Sequence, residues 1–316
     1  MIKNIKINYG IIHIVIGMIL FILISGCSAN RGREVIDPSG RAVVIKGNVN
    51  RIVSTAPSNT EIIVDLGMAH KLVAIDRHSA SVGGIPEGLP LLDFFFPDAE
   101  VIVKLEPDII IASGHNPTGT GEDPFRLLRE IGIPVVYISM SGSIEDIYRD
   151  IIFIAGLLQA EKEGEELIDS MKEQIQNIVE TVPGSQFQTT VYFEISAAPD
   201  MMTFGYGSFI HDMISVIGAR NIFENEHWLV MPGAESIIER NPDVILTNVN
   251  YIDDPIGEIK SRPGFNHINA VIHNRVYPID TDSSARSSAR ITLALRQMAE
   301  AIYSEKEITP RRGTKE

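Results

Sequence analysis

Cysteine is almost absent: Cys27 is the only one in 316 residues. A disulfide within the chain is therefore excluded, and so is any cysteine-rich metal cluster. Basic residues are also short, 27 against 41 acids, for a net charge of −14. Phosphate recognition needs a surplus of lysine and arginine, so nucleic acid is not an expected partner. Adhesion to anionic lipid by charge alone is disfavoured for the same reason. The chain has no G-x-S-x-G elbow, no glycine-rich phosphate loop and no H-E-x-x-H. The local signatures of esterase-type hydrolysis, nucleotide binding and zinc peptidase chemistry are thus missing. Tryptophan occurs once, as Trp228.

What is present begins at the N-terminus. Lys3 and Lys6 precede an apolar run from Ile11 to Ile24, the order of charges and hydrophobics in a secretory signal. The run is shorter than the roughly 20 residues that a spanning helix needs. It ends in Leu23-Ile24-Ser25-Gly26-Cys27. This segment resembles the bacterial lipobox, which implies a signal peptide over 1–26 and a lipid on Cys27. The alternative is an uncleaved anchor with an incidental cysteine. Cleavage would remove two lysines and no acid, taking the net charge from −14 to −16. A domain so acidic would be held at the membrane by its acyl chains rather than by its surface.

Residues 27–34 read as a polar tether and 305–316 as a flexible tail. Val35 to Lys46, turning at Asp37-Pro38-Ser39-Gly40, predicts a β-hairpin. Continuous apolar strands then alternate with helices: strands at Arg51–Thr55, Lys71–Ile75, Asp108–Ala112 and Pro134–Ile138. A helix capped by Ser58 or Asn59 is expected to run to Gly67, and another is capped by Asp98. Such alternation predicts a parallel sheet covered on both faces. From Ser143 to Val182 there is no strand signal and no proline. Ile144, Ile147, Ile151, Ile154 and Leu158 keep helical spacing, and Leu167, Met171, Ile175 and Ile178 continue it. The expectation is one long helix, or two nearly collinear ones, over 143–183. After Pro183-Gly184 the alternation resumes and ends in a helix over about 288–303.

Residues 99–112, AEVIVKLEPDIIIA, recur as 234–247, AESIIERNPDVILT, at an offset of 135. The reading is α/β: two Rossmann-like lobes with parallel-rich sheets joined by a long α-helix, with an N-terminal lobe at 35–142 and a C-terminal lobe at 184–304. Ligands of open α/β sheets bind at strand ends, so a cleft between the lobes is the expected site.

Ile52-Val53-Ser54-Thr55-Ala56-Pro57-Ser58-Asn59-Thr60-Glu61, Glu100 through Asp108, Asn221-Ile222-Phe223 and Arg286 through Ile291 together resemble the solute-binding proteins of ABC importers for iron siderophores and vitamin B12. The likeness covers about residues 35–304. It implies a monomeric, non-catalytic binding protein on the outer face of the cell membrane, with an ABC permease and its ATPase as partners. It implies no cofactor and no resident metal. It also implies that Glu100 and Glu235, equivalent members of the repeat, dock into cationic pockets of the permease. Each could instead be an acid favoured by a helix N-terminus.

For the ligand, Trp228 suits a flat, partly apolar molecule, although a core or hinge aromatic is the alternative. Phe94 matches an aromatic of the vitamin B12 binders, and Asp282 and Arg286 match polar contact positions there. Four residues apart, Asp282 and Arg286 could equally form a local ion pair. His115, Tyr206 and Tyr251 lie in loops expected near the cleft. An iron chelate is the first expectation, with a corrinoid or haem as alternatives, haem with His115 or Tyr206 as axial candidates. Behind these stand zinc or manganese, gathered by His78, His115, His211 and a carboxylate, and a surface hydrolase.

Overall fold

The computed structural model describes residues 32–93, 95–114, 123–182 and 188–303. The signal segment, Cys27, Phe94, His115 and the tail at 305–316 lie outside them. None of the helices among the described residues is long and apolar enough to cross a membrane.

The first lobe begins with a hairpin of β1 (Arg33–Ile36) and β2 (Ala42–Ile45). The sequence placed Arg33 and Glu34 in the tether; instead they begin β1. Arg33 is drawn in because its guanidinium donates to the carbonyls of Gly156 (2.7 Å) and Leu157 (2.9 Å). β3 (Ile52–Ser54) leads into α1 (Pro57–Asp65). β4 (Leu72–Asp76), β5 (Leu91–Leu92), α2 (Ala99–Lys104), β6 (Ile109–Ser113), α3 (Arg126–Glu130) and β7 (Val135–Ile138) follow. The five parallel strands lie in the order β5-β4-β3-β6-β7. α1 starts earlier than the expected Ser58 or Asn59 cap, because Pro57 occupies its first turn and Ala56 is the cap residue. Proline suits that place, having no N–H to leave unpaired.

The stretch over 143–183 departs from the sequence reading. It holds α4 (Ile144–Leu158) and α5 (Glu161–Thr181), which are not collinear. Gln159 takes a left-handed conformation at φ 58° and reverses the chain. α5 then folds back along α4, so that the Lys172 ammonium sits 5.3 Å from the Tyr148 ring centre. Gly164 permits the close approach: a Cβ there would stand 2.7 Å from that of Ala155. The long helix is α5 alone, 21 residues, about 31 Å at 1.5 Å per residue.

The second lobe contains β8 (Thr190–Glu194), β9 (Thr203–Phe204), α6 (Phe209–Val216), β10 (Arg220–Asn221), β11 (Leu229–Val230), α7 (Ala234–Arg240) and β12 (Val244–Thr247). α8 (Pro255–Ser261), α9 (Asn269–Ile272), β13 (Val276–Pro278), α10 (Thr281–Ala285) and α11 (Ile291–Tyr303) complete it. Its parallel sheet has the order β10-β8-β12-β13, and β9 and β11 form a separate antiparallel ribbon.

Alternation along the strands divides the core. Ile109 and Ile111 of β6 face a cluster that also holds Ile147, Met171, Phe193, Leu246 and Leu295. Ile110 and Ala112 face a second cluster private to the first lobe. Tyr192 and Ile245 face a third, private to the second lobe. Each sheet thus presents one face to its own helices and the other to a hydrophobic body shared through α4, α5 and α11. A shared dry core couples the lobes, because separating them would expose its apolar surface to water.

The repeat becomes a helix–turn–strand in both copies. Glu106 (φ 44°) and Asn241 (φ 45°), at the same offset of 135, end the two helices in the left-handed region. The following Pro107 and Pro242 prevent continuation. Asp108 then accepts from the N–H groups of Asn50 and Arg51 (2.8 and 2.9 Å). Asp243 accepts from the N–H and hydroxyl of Thr190 (3.0 and 2.7 Å). In each lobe the Pro-Asp pair therefore clamps the start of the neighbouring strand. The duplication is architectural there, not chemical.

Candidate binding cleft

A cavity of about 560 Å³ opens between the lobes. The first lobe supplies the N-terminal turn of α1 (Ala56, Pro57, Ser58, Asn59), then His78, Ser113 and the segment 138–141 after β7. Every one of these stands at the carboxyl end of a strand or the start of the following helix, as open parallel sheets require. Asn59 is buried and donates to the Ala112 carbonyl (3.3 Å), which fixes the α1 turn against β6. The second lobe supplies Phe204, Phe209, Trp228, Asn248, Tyr251 and Arg286, with aliphatic neighbours.

Trp228 is held in an unusual way. Its φ is 58°, a region that costs a bulky residue roughly 1–2 kcal/mol. Its N–H donates to the Tyr206 carbonyl (2.9 Å), and its own carbonyl accepts from Gly205 (2.8 Å). Gly205 cannot be replaced, since a Cβ there would lie 1.9 Å from the Glu226 carbonyl oxygen. The indole packs edge-on against Phe204, ring centres 5.5 Å apart. The strained backbone turns the largest side chain of the loop onto the cavity wall.

Arg286 is 8 % exposed although it reaches the cavity. Its guanidinium pairs with Glu61 of α1 (2.7 Å) and with Asp282 (2.8 Å), and donates to the Ser81 hydroxyl (2.8 Å). Ser288 donates to the other oxygen of Glu61 (2.6 Å), and Arg290 stands 3.7 Å from this carboxylate. Glu61 and Ser81 of the first lobe are therefore tied to Arg286 and Ser288 of the second across the base of the cleft.

Two acids lie behind the walls. Glu194, at the end of β8, is held by Arg262 through both nitrogens (2.5 and 2.8 Å). Burial still raises its pKa, with Arg262 opposing. Asp150 of α4 accepts from the Ser141 hydroxyl (2.9 Å), and burial raises it to about 7.

Of the residues expected at the site, Trp228, Tyr251 and Arg286 line the cavity. Asp282 stands behind Arg286, and their pairing is the local one also weighed from the spacing. Tyr206 is not on the wall; it is 46 % exposed and packs edge-on against His227. Its backbone pairs with that of His227 as an isolated bridge, which sets the two rings side by side. Glu100 and Glu235 are exposed in the first turns of α2 and α7, away from the cavity. Among the described residues no three histidines, cysteines or acids gather as a metal site. His78 is at the cleft, whereas the main-chain N–H of His211 is bonded to the Ser208 hydroxyl in α6. Sequence reasoning missed Glu61, Asn59, Phe204 and Asn248. The Asn59 position was accessible as the second residue after a helix-initiating proline; Glu61 is 225 residues from its partner and gave no local signal.

Two parallel-sheet lobes, a shared core and a ligand-sized cavity between them form the frame of a two-lobed binding protein. The sequence profile of the periplasmic binding protein family matches residues 52–283. Over 271 residues the chain is 30 % identical to YvrC, an uncharacterized ABC transporter substrate-binding lipoprotein of Bacillus subtilis, covering 85 % of each chain. It is 24 % identical over 263 residues to the vitamin B12-binding protein of Vibrio parahaemolyticus, covering 82 % of this chain and 91 % of that one. A crystal structure of a possible iron-binding, periplasmic solute-binding protein from Staphylococcus epidermidis superposes with a TM-score of 0.73 at 31 % identity, over 81 % of this chain and all of the other. The chain belongs to the periplasmic binding protein family. It is a solute-binding component of ABC import, not an enzyme.

Proposed function

We propose that this chain is a lipid-anchored receptor, attached through Cys27 outside the cytoplasmic membrane, that captures a corrinoid and hands it to an ABC permease. The sequence alone put an iron chelate first; the charge of the cleft supports reordering the two. The carrying observation is that the one guanidinium on the described cavity wall is already paired with two carboxylates, Glu61 and Asp282. A chelate rich in carboxylates, or the propionates of haem, would meet no free cation there. Burying an unpaired charge is expensive. A corrin is a flat ring with uncharged amide arms. It suits an aromatic wall of Trp228, Phe204 and Phe209 facing an uncharged polar wall of Ser58, Asn59, Ser113 and Ser141. A ferric chelate of no net charge, such as a trishydroxamate, is the second reading, favoured by the same neutrality.

The test uses the domain beginning at Ser28. Calorimetric titration with cyanocobalamin, a ferric trishydroxamate, ferric citrate and haemin is expected to give tight one-to-one binding for the corrinoid. Tighter binding of ferric citrate or haemin overturns the assignment. Export is tested separately: Cys27→Ala is expected to release a ligand-competent domain from the membrane, and retention would argue against the lipid. Glu100 and Glu235, exposed on matched helices of the two lobes, are proposed to dock on the permease. Reversing both to lysine is expected to abolish uptake and leave ligand affinity unchanged.

A further inference from the structure

Superposing the two copies of the repeat extends it backwards. At the offset of 135, Phe96-Pro97-Asp98-Ala99-Glu100 meets Met231-Pro232-Gly233-Ala234-Glu235. The prolines are buried in both lobes. The residues before them are not: Phe96 is 71 % exposed and Met231 62 %. Neither lines the cleft cavity, and neither belongs to a core cluster. A single exposed apolar residue needs no explanation. Two large ones, at the same register of two lobes that otherwise differ in sequence, each four residues before an exposed glutamate, do.

The carboxylates reinforce the pattern. Glu100 and Glu235 are exposed in the first turn of their helices, and neither has an ion-pair partner among the described residues. Each lobe therefore offers the same composite: an apolar side chain, a rigid buried proline and an unpaired acid at a helix start. A feature offered twice, once on each pseudo-equivalent lobe, fits a partner that also presents its complement twice. Charge fixes orientation and encounter, while desolvated apolar anchors supply most of the lasting affinity.

We infer that Phe96 and Met231 are paired apolar anchors that seat in two hydrophobic sockets of the permease, each socket beside the cation that receives Glu100 or Glu235. The inference rests on the docking role proposed for those glutamates. The proline behind each anchor removes backbone freedom, so little ordering remains to be done on contact. The glutamates set the register; the anchors slow release.

The experiment measures docking of the ligand-loaded protein to its cognate permease–ATPase complex in nanodiscs, by interferometry, beside ligand titration in solution. Phe96→Ser and Met231→Ser are each expected to weaken docking about 10-fold. The double variant should approach the product, since the sites lie on different lobes. Most of the change should fall in the dissociation rate and persist at high salt. Glu100→Gln with Glu235→Gln should instead slow association, in a salt-dependent manner. Ligand affinity and the circular dichroism spectrum should stay unchanged in every variant. If the serine variants dock normally while the glutamine pair does not, the anchor role is overturned and the glutamate role stands. Normal docking by all variants overturns both. A loss of ligand affinity in the serine variants would assign Phe96 and Met231 to the rim of the cleft and overturn the inference.

Discussion

The two lobes share a frame and an outer edge but not a cleft wall. Their sheets are built alike: a helix, a left-handed residue, proline, aspartate and a parallel strand recur at Ala99–Ser113 and Ala234–Thr247. The helix starts that carry Glu100 and Glu235 recur as well. Inside the cleft the likeness ends. The first lobe lines it with small and polar residues such as Ser58, Asn59, His78, Ser113 and Ser141 beside Ile138 and Met140; the second brings the aromatics Phe204, Phe209, Trp228 and Tyr251 beside Asn248 and Arg286. On the proposed function, the duplicated frame keeps its symmetry where the permease would dock and loses it where the ligand would sit.

The strongest way to break the comparison is at the buried ion pair that ties the two lobes together. Arg286→Ala would leave Glu61, 2 % exposed, with Ser288 and a distant Arg290. A buried carboxylate stripped of its guanidinium is expected to cost about 3–5 kcal/mol of stability. Urea unfolding followed by the Trp228 emission would read it. Arg286→Met combined with Glu61→Leu removes both charges and should recover most of the loss, because a buried pair is worth little against apolar packing.

The two walls can be weighed against each other next. Trp228→Ala removes an indole fixed against Phe204 and is expected to weaken ligand binding by about 2–3 kcal/mol. Ser58→Ala on the opposite wall should cost about 1 kcal/mol or less. Titration calorimetry measures both on the same scale. Equal losses would contradict the division into an anchoring aromatic wall and an orienting polar one.

The acids behind the walls differ in the same sense. Glu194 has Arg262, while Asp150 has the Ser141 hydroxyl and no bonded cation among the described residues. Asp150 titrates at about 7 in the fold against an ordinary 3.8, because burial disfavours its charge. The folded state thus holds a proton that the unfolded chain has released between these values. This contribution is fully present below about pH 4 and is lost as the pH rises through about 7. Asp150→Asn should match the parent at pH 4 and exceed it by about 1–2 kcal/mol at pH 8, in unfolding curves taken across that range. A constant difference across that range would show that Asp150 does not titrate there.

Much of this frame was readable before any coordinates. Strands such as Ile109–Ser113 and Val244–Thr247 announce themselves as apolar runs because both faces are buried, and the Pro-Asp repeat marks their starts. The reversal at Gln159 was not readable from periodicity, since the apolar spacing continues on both sides of it. Gly164, a poor helix residue amid good ones, was the available sign of a close contact with Ala155. In the cleft, Trp228 could be found because it is unique, and Arg286 through its family position. The direction of Tyr206 was not readable, since its ring packs on His227, a residue 21 positions further along. Glu61 could not be found at all: a buried acid in a helix is intelligible only once its cation, on the other lobe, is in view.

The smallest test uses a difference inside the repeat itself. Asp98 caps α2, accepting from the N–H groups of Glu100 (2.9 Å) and Val101 (3.2 Å). Its equivalent, Gly233, begins α7 with no side-chain cap. The backbone at Gly233 is extended (φ −72°, ψ 157°), a conformation open to any capping residue. A Cβ there would meet only the Glu235 carboxylate end, at 3.3 Å. Asparagine brings the cap without adding a second negative charge. Gly233→Asn should therefore stabilise the second lobe by about 0.5 kcal/mol, whereas Asp98→Ala should destabilise the first by about 1 kcal/mol. Opposite signs at one register, measured by thermal unfolding, would show that the copies differ in capping alone. If Gly233→Asn weakened docking as well, the bare helix start beside Glu235 would be part of the surface that the permease reads.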